Sequence, residues 1–146
     1  MKWIKTQEPR LQENYLEIHY NKMNKETQEL IEYLEAQNVL LGRNETESRL
    51  IKPNEIYYCE VVDRKCYAYL EKEVWKLEEG LAELTQRYAM HGFVRISKSM
   101  LVNIYKVRRI EADLNMRMKL ILFNEEAIVM SRSYRNDFFG KLKGTV

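Results

Sequence analysis

The sequence has little cysteine, little histidine and no long apolar run. Its 146 residues include 2 His and 2 Cys, and two cysteines make neither a disulfide framework nor, by themselves, a zinc site. The longest apolar run, Cys66–Leu70, is far shorter than the about 20 residues of a membrane-spanning helix. Charged residues interrupt the first segment, which therefore lacks the features of a signal peptide. These absences predict a cytoplasmic protein in which Cys59 and Cys66 are small core residues.

Glycine and proline are also scarce, at 5 and 2 residues. The chain has no Gly- or Pro-rich linker and no low-complexity tract, and its length fits one domain. With 45% hydrophobic and 32% charged residues, its composition is that of a globular protein rather than a disordered one. The composition therefore predicts a folded chain with an ordinary hydrophobic core.

Charge is unevenly distributed, although the net charge is only +2. Residues 1–86 have 12 Lys and Arg against 17 Asp and Glu, a net charge of −5, and residues 87–146 have 12 against 5, a net charge of +7. A concentration of basic residues attracts polyanions such as nucleic acid. A chance difference between an acidic helical part and a basic strand-rich part would give the same numbers, so charge alone leaves both interpretations open.

The first 38 residues predict a β-α extension. Apolar and polar residues alternate over Tyr15–Tyr20, which is typical of a half-buried strand. Asn24 is a suitable N-cap for a helix over Lys25–Gln37, whose apolar residues recur at helical spacing. The other faces of this helix carry four glutamates, which would repel phosphates. We therefore do not expect this helix to read DNA.

From residue 39 onward the pattern is mainly that of strands. Short apolar or alternating runs are separated by brief polar breaks, which favour antiparallel hairpins over parallel strands with long crossovers. The predicted strands are Val39–Leu41, Ser48–Ile51, Ile56–Val62, Cys66–Leu70, Glu73–Lys76, Phe93–Ile96, Leu101–Ile104, Val107–Ala112, Met116–Phe123 and Ala127–Ser131. Two helices are predicted, at Leu77–Tyr88 and Tyr134–Leu142. The predicted fold class is α+β, predominantly antiparallel β.

No residue pattern indicates catalysis or cofactor binding. His19 and His91 lack the spacing of a metal site, and there is no phosphate-binding glycine loop or nucleophile elbow. Both histidines are predicted to lie at the surface. Cys59 could pair with a distant His, but nothing nearby in the sequence supports such a dyad. The sequence therefore predicts no enzymatic activity, no metal, no cofactor and no small-molecule substrate.

Three basic segments lie at the ends of predicted strands. Arginine and lysine can donate to guanine edges or to phosphates, and serine can donate to phosphate oxygens. The candidate DNA-contacting residues are Arg64, Lys65, Arg95, Ser97, Lys98, Ser99, Arg132, Ser133 and Arg135. Solvated strand ends would have a similar composition, so residue types alone leave nucleic-acid binding and a plain surface as alternatives.

The order of the motifs in the second half resembles the LytTR DNA-binding domain. That family has an aromatic-Arg-Ile start, a Lys-Ser pair, a Val-Asn pair and a Ser-Arg-x-Tyr ending. In this chain they correspond to Phe93, Arg95 and Ile96, then Lys98 and Ser99, then Val102 and Asn103, and finally Ser131, Arg132 and Tyr134. The resemblance covers roughly Val39–Leu142, and the order and spacing of the motifs make it specific.

The resemblance implies a mostly antiparallel β domain of bacterial transcription regulators. Such domains insert loops, rather than a recognition helix, into successive major grooves of duplex DNA, and they bind direct repeats. Carried over residue by residue, the contacts fall at Lys98 and Arg132, with a third at Arg64 or Lys65. Asn103 is expected to cap the turn after the loop rather than to touch a base.

The N-terminal part departs from the commonest arrangement of the family. Many members carry a phosphoacceptor receiver domain there, but the residues before the LytTR-like region are few and contain no Asp. They resemble the short extension of stand-alone LytTR regulators, some of which are encoded beside a small membrane protein that restrains them. We therefore expect a homodimeric regulator, with residues 1–38 as a packing or dimerisation unit, residues 39–146 as the DNA-binding domain, and a small membrane protein as a candidate partner.

A second interpretation is a module that binds RNA or a single strand. Tyr57, Tyr58, Tyr67 and Tyr69 lie on predicted strands and could stack bases on an exposed sheet. Paired tyrosines on neighbouring strands are more often core residues, and a gel shift with duplex against single-strand competitor separates the two interpretations.

Overall fold

The chain forms two compact units, Met1–Asn38 and Val39–Val146. The structure, a computed structural model, describes residues 1–36, 38–112, 115 and 117–145. Its helices and strands, in chain order, are α1 (Lys25–Ala36), β1 (Leu40–Arg43), β2 (Ser48–Ile51), β3 (Tyr58–Val62), β4 (Lys65–Tyr69), β5 (Val74–Leu77), α2 (Leu81–Tyr88), β6 (Phe93–Arg95), β7 (Met100–Asn103), β8 (Val107–Ala112), β9 (Met118–Leu122), β10 (Ala127–Met130) and α3 (Arg135–Thr145). None of these helices has the length and apolar content that a transmembrane span requires.

The first unit contains the predicted helix but not the predicted strand. The Asn24 Oδ1 accepts a hydrogen bond from the backbone N–H of Thr27 at 2.8 Å, which confirms the predicted N-cap. Gln37, the predicted last residue of the helix, lies outside the described residues. The strand predicted at Tyr15–Tyr20 is wrong, because this segment has no strand structure. A strand requires a hydrogen-bonded neighbour, and no described segment of this unit pairs with it.

The second unit is built on two antiparallel sheets. The larger has the strand order β2-β1-β5-β4-β3-β7-β6, and the smaller has the order β10-β9-β8. Every strand pair in the described residues is antiparallel. This architecture confirms the predicted fold class, predominantly antiparallel β with a few helices.

The middle strands of the larger sheet are buried on both faces. Cys59 packs in a core with Leu84 of α2, whereas its neighbour Tyr58 packs in a second core with Leu120 of the smaller sheet and Phe138 of α3. Because adjacent residues of a strand point to opposite faces, the large sheet separates these two cores. The second unit therefore has three layers, and their packing holds the strand ends in place.

Glycines mark two places where the predicted boundaries differ from the structure. Gly42 was predicted as a break but lies within β1, where an added Cβ would come within 2.7 Å of Trp75. Gly80 was predicted inside a helix but has extended backbone at the N-cap of α2, and Leu77 belongs to β5. The other described strand ends lie within two residues of the prediction. Met116, the predicted first residue of β9, lies outside the described residues.

Candidate nucleic-acid interface

The three basic segments meet at one end of the larger sheet. They are the β3–β4 turn, the loop between β6 and β7, and the residues after β10. The backbone N–H of Val61, next to the β3–β4 turn, donates to the Ser99 carbonyl at 2.9 Å, and the N–H of Ser131 donates to the Ile96 carbonyl at 2.8 Å. These two bonds join the three segments into one surface, which we call the basic edge. Its basic residues are Arg64, Lys65, Arg95, Lys98, Arg132 and Arg135.

The β3–β4 turn is a tight two-residue hairpin. Val62 pairs with Lys65 across it, and the central residues Asp63 and Arg64 both have positive φ, 51° and 65°. Such turns match the twist of the strands that they connect. Arg64 and Lys65 are both exposed, so their cationic groups can reach a partner, with the carboxylate of Asp63 beside them.

The loop between β6 and β7 presents Lys98 at its tip. The N–H of Ile96 donates to the Met100 carbonyl at 3.1 Å, which closes the loop. Inside it, the N–H of Ser99 donates to the Ser97 Oγ at 3.2 Å. The hydroxyl of Ser97 is therefore engaged by the loop itself, whereas Lys98 and Ser99 are exposed.

Arg95 also binds the loop rather than facing away from it. Its Nε–H donates to the Ser97 carbonyl at 3.2 Å, and its second guanidinium nitrogen donates to the Lys98 carbonyl. Arg95 and Ser97 were predicted from residue types to contact DNA, but both bond to the backbone of their own loop. For Ser97, the spacing to Ser99 was the available signal, because serine hydroxyls commonly accept from the backbone N–H two residues ahead.

The third segment joins β10 to α3. The residues from Arg132 to Tyr134 form one 3₁₀ turn, and α3 begins at Arg135. Phe138, which is fully buried in the second core, fixes the start of α3. Arg132, Ser133 and Arg135 are exposed, and the Arg135 guanidinium lies 5.8 Å from the centroid of the Phe139 ring. This contact restricts Arg135 more than Arg132.

The cations of the basic edge lack acidic partners that other arginines have. Arg108, for example, pairs with Glu125 at 2.7 Å. By contrast, four cations of the edge form no ion pair with any carboxylate in the described part of the chain. These four are Arg64, Lys65, Lys98 and Arg132. Their charge is therefore available to an anionic partner.

Asn103 is not part of the exposed surface. It is 2% exposed, its Nδ2 donates to the Ile56 carbonyl at 3.0 Å, and its Oδ1 accepts from the N–H of Tyr105 at 3.1 Å. These bonds confirm the predicted capping role. They also tie β7 to the segment that precedes β3.

Three of the four candidate tyrosines, Tyr57, Tyr58 and Tyr69, do not form an open platform for bases. Tyr57 and Tyr58 are each only 8% exposed. The rings of Tyr58 and Tyr69 stack on each other with their centroids 4.3 Å apart, and the Lys106 ammonium lies over the ring of Tyr57. Base stacking requires a free ring face, so these contacts argue against the single-strand interpretation.

The histidines are at the surface, as predicted. His19 is exposed and its Nε2 lies 2.9 Å from the Glu17 carboxylate, and the exposed His91 meets the ring of Tyr88 edge-on. Among the residues that the structure describes, no group of three His, Cys, Asp or Glu side chains could hold a metal ion.

Comparison with known proteins identifies the family. The family model of the LytTr DNA-binding domain matches residues 46–143. An uncharacterized HTH-type transcriptional regulator of Staphylococcus aureus strain NCTC 8325 is 29% identical over 125 residues, which cover 84% of each chain. A similar regulator of strain MRSA252 is 28% identical over the same length.

A solved structure shows the same fold. A LytTr DNA-binding domain from Bacillus cereus superposes with a TM-score of 0.67 at 23% identity, covering 72% of this chain and 96% of that one. Within the described residues, α2 and α3 are separated by five strands, so they do not form a helix-turn-helix motif, whose helices are joined by a short turn. The family match spans most of the chain and includes all three segments of the basic edge, and the protein therefore belongs to the LytTr DNA-binding domain family of transcription regulators.

Proposed function

We propose that this protein is a cytoplasmic transcription regulator that recognises duplex DNA by placing the turns of its basic edge in the major groove. The observation that carries the proposal is the convergence of three turns with unpaired cations at one end of the sheet. The major groove is about 12 Å wide and presents a distinct donor and acceptor pattern for each base pair. Turns that project arginine and lysine can therefore read sequence there without a recognition helix.

The surroundings of each basic residue suggest its role. Lys98, at the tip of its loop, and Arg132, in the turn after β10, are both exposed and are the candidate base readers. Arg64 and Lys65 supply a third contact from the hairpin. Ser99, Ser133 and Arg135 fit phosphate contacts, since serine donates to phosphate oxygens and Arg135 is restrained against Phe139.

The helix of the first unit is unsuited to DNA. Glu26, Glu29, Glu32 and Glu35 of α1 are all exposed, and a phosphate backbone would repel them. The same unit exposes large apolar side chains, including Trp3 at 80% and Ile4 at 84%. We propose that this unit mediates homodimerisation, which would place two DNA-binding domains on direct repeats. A small membrane protein remains a second candidate partner for the unit.

The proposal predicts a preference for duplex DNA. A random duplex library would be selected with the full chain, and the enriched duplex would then compete with its own single strands and with a scrambled duplex of equal length. We expect the enriched duplex to compete best, and binding to weaken steeply with salt because phosphate contacts release counterions. Equal competition by the single strands would instead favour the single-strand interpretation.

The two cysteines are predicted to have no part in DNA binding. Both are free and buried on adjacent strands of the core beneath α2. A hydrogen bond with Cys66, together with burial, holds the pKa of Cys59 well above its ordinary value, and the same bond lowers the pKa of Cys66. A protonated, buried thiol is unreactive, so Cys59 in particular is protected from oxidation.

The variant with both Cys59→Ser and Cys66→Ser should lose stability and keep its DNA affinity. Burying hydroxyl groups in place of thiols is expected to lower the free energy of unfolding by about 1–3 kcal/mol. Urea unfolding and binding to the enriched duplex measure the two effects separately. If an oxidant changes the affinity of the parent but not of the double variant, the protein is a redox sensor and this prediction is wrong.

A further inference from the structure

The backbone carbonyls of the Lys98 loop are bound by a side chain of the same loop. Arg95, the last residue of the edge strand β6, donates from Nε to the Ser97 carbonyl and from a terminal nitrogen to the Lys98 carbonyl. One planar guanidinium therefore bridges two successive carbonyls on either side of the loop tip. Arg95 is only half exposed, whereas Lys98 is exposed.

This bridge has two physical consequences for the tip. Two charge-assisted hydrogen bonds restrict the backbone on which the Lys98 side chain is mounted, and such bonds are stronger than neutral ones. The guanidinium also covers two carbonyl oxygens, whose partial negative charge would otherwise face a polyanion. Lysine has a flexible stem and no fixed donor geometry, so the direction of Lys98 depends on its backbone.

We propose that Arg95 is a positioning residue that sets the conformation of the Lys98 loop, and so the sequence preference of DNA binding, without contacting DNA itself. The inference rests on the proposed function, because it acts through Lys98 as a base reader. It differs from the expectation from residue types, which placed Arg95 among the DNA-contacting residues. Ser97 supports the same loop from inside by accepting the N–H of Ser99.

Two substitutions separate positioning from direct contact. Arg95→Lys keeps the positive charge but loses the planar fork that binds two carbonyls at once. Arg95→Gln removes the charge and replaces the guanidinium with an amide on a shorter side chain. If Arg95 positions the loop, both variants lose preference for the enriched duplex, whereas neither changes the salt dependence. If Arg95 binds a phosphate, Arg95→Gln lowers the salt slope by about 1 and weakens all duplexes alike.

The experiment uses the full chain and two duplexes, the enriched one and its scrambled control. We expect Arg95→Lys and Arg95→Gln to weaken binding to the enriched duplex at least about fivefold, the lower limit for a lost base contact, with little change for the scrambled duplex. In a chain that already carries Lys98→Ala, the same substitutions should have almost no further effect, because they act through Lys98. Arg108→Lys, at an arginine paired with Glu125, is the matched control.

Thermal unfolding and amide hydrogen exchange distinguish a loss of fold from a change confined to the loop. If Arg95 only positions the loop, its variants unfold at the same temperature as the parent, and only the amides of residues 97–99 exchange faster. The inference is overturned if Arg95→Lys binds the enriched duplex like the parent, or if its effect adds fully to that of Lys98→Ala. If Lys98→Ala itself leaves the preference for the enriched duplex intact, the proposed role of Lys98 as a base reader is wrong too. If Lys98→Ala loses that preference but Arg95→Lys does not, only the inference about Arg95 is wrong.

Discussion

Replacing Lys98 or Arg132 with alanine is expected to cost the full chain about 1–3 kcal/mol each in affinity for its enriched duplex. Binding to a scrambled duplex should change much less, because each side chain is proposed to bond to base edges. The two residues lie on different turns, so their effects should be roughly additive in the double variant. Fluorescence anisotropy with both duplexes, at a fixed salt concentration, measures the loss and its specificity.

Three further variants control this experiment. Arg135→Ala, the proposed phosphate contact, should weaken both duplexes similarly and lower the salt slope by about 1. Lys72 lies in the turn between β4 and β5, at the opposite end of β4 from the basic edge. Arg108 pairs with Glu125 at that same end, where Asn124 donates to the Glu71 carbonyl. Alanine at either position should leave both affinities near the parent values. If folded Lys98→Ala and Arg132→Ala variants bind the enriched duplex like the parent, the site assignment is wrong.

Most of the strands of the second unit could be predicted because their side chains alternate and the breaks between them are short. The predicted bounds of β2 and β8 match the structure. The start of α2 was placed wrongly because Leu77 and Leu81 are four residues apart, a helical spacing. In the structure one of them ends a strand and the other begins the helix. A spacing rule cannot distinguish these cases when two elements follow each other directly.

The strand predicted at Tyr15–Tyr20 shows the limit of a local pattern. Alternation indicates which side chains would share a face, but it does not supply the neighbouring strand that a sheet requires. Leu16 and Tyr20, which the alternation assigned to a buried face, are 69% and 55% exposed. In the second unit the same kind of pattern succeeds because a partner strand lies close by in the sequence.

The candidate site could be predicted residue by residue, but its assembly could not. Residue types and order singled out the basic segments, and the family resemblance led to the expectation that Asn103 caps a turn. The convergence of the segments depends on β7 pairing with β3, strands that are far apart in the sequence, and on the bond between Ser131 and Ile96. The hydrogen bonds of Arg95 to its own loop were missed because an arginine that binds its own loop has the same sequence signature as one that binds DNA.

Deleting residues 1–38 should have the largest effect on binding to a duplex with two sites. The remaining unit has both of its cores, since their residues all lie between Leu40 and Leu142, so we expect it to fold and to bind a single site like the full chain. A linked second domain raises overall affinity by about 10²–10⁴-fold through effective concentration. If the first unit forms the dimer, its loss should remove this gain.

The truncation distinguishes dimerisation from a purely structural role of the first unit. Sedimentation at micromolar concentration should show a dimer for the full chain and a monomer for residues 39–146, and only the full chain should prefer the two-site duplex. Single-site affinity and thermal unfolding serve as internal controls that the DNA-binding unit is intact. If both proteins are monomers and bind the two-site duplex equally, the exposed apolar side chains at Trp3 and Ile4 do not mediate self-association, and the proposed homodimer is wrong.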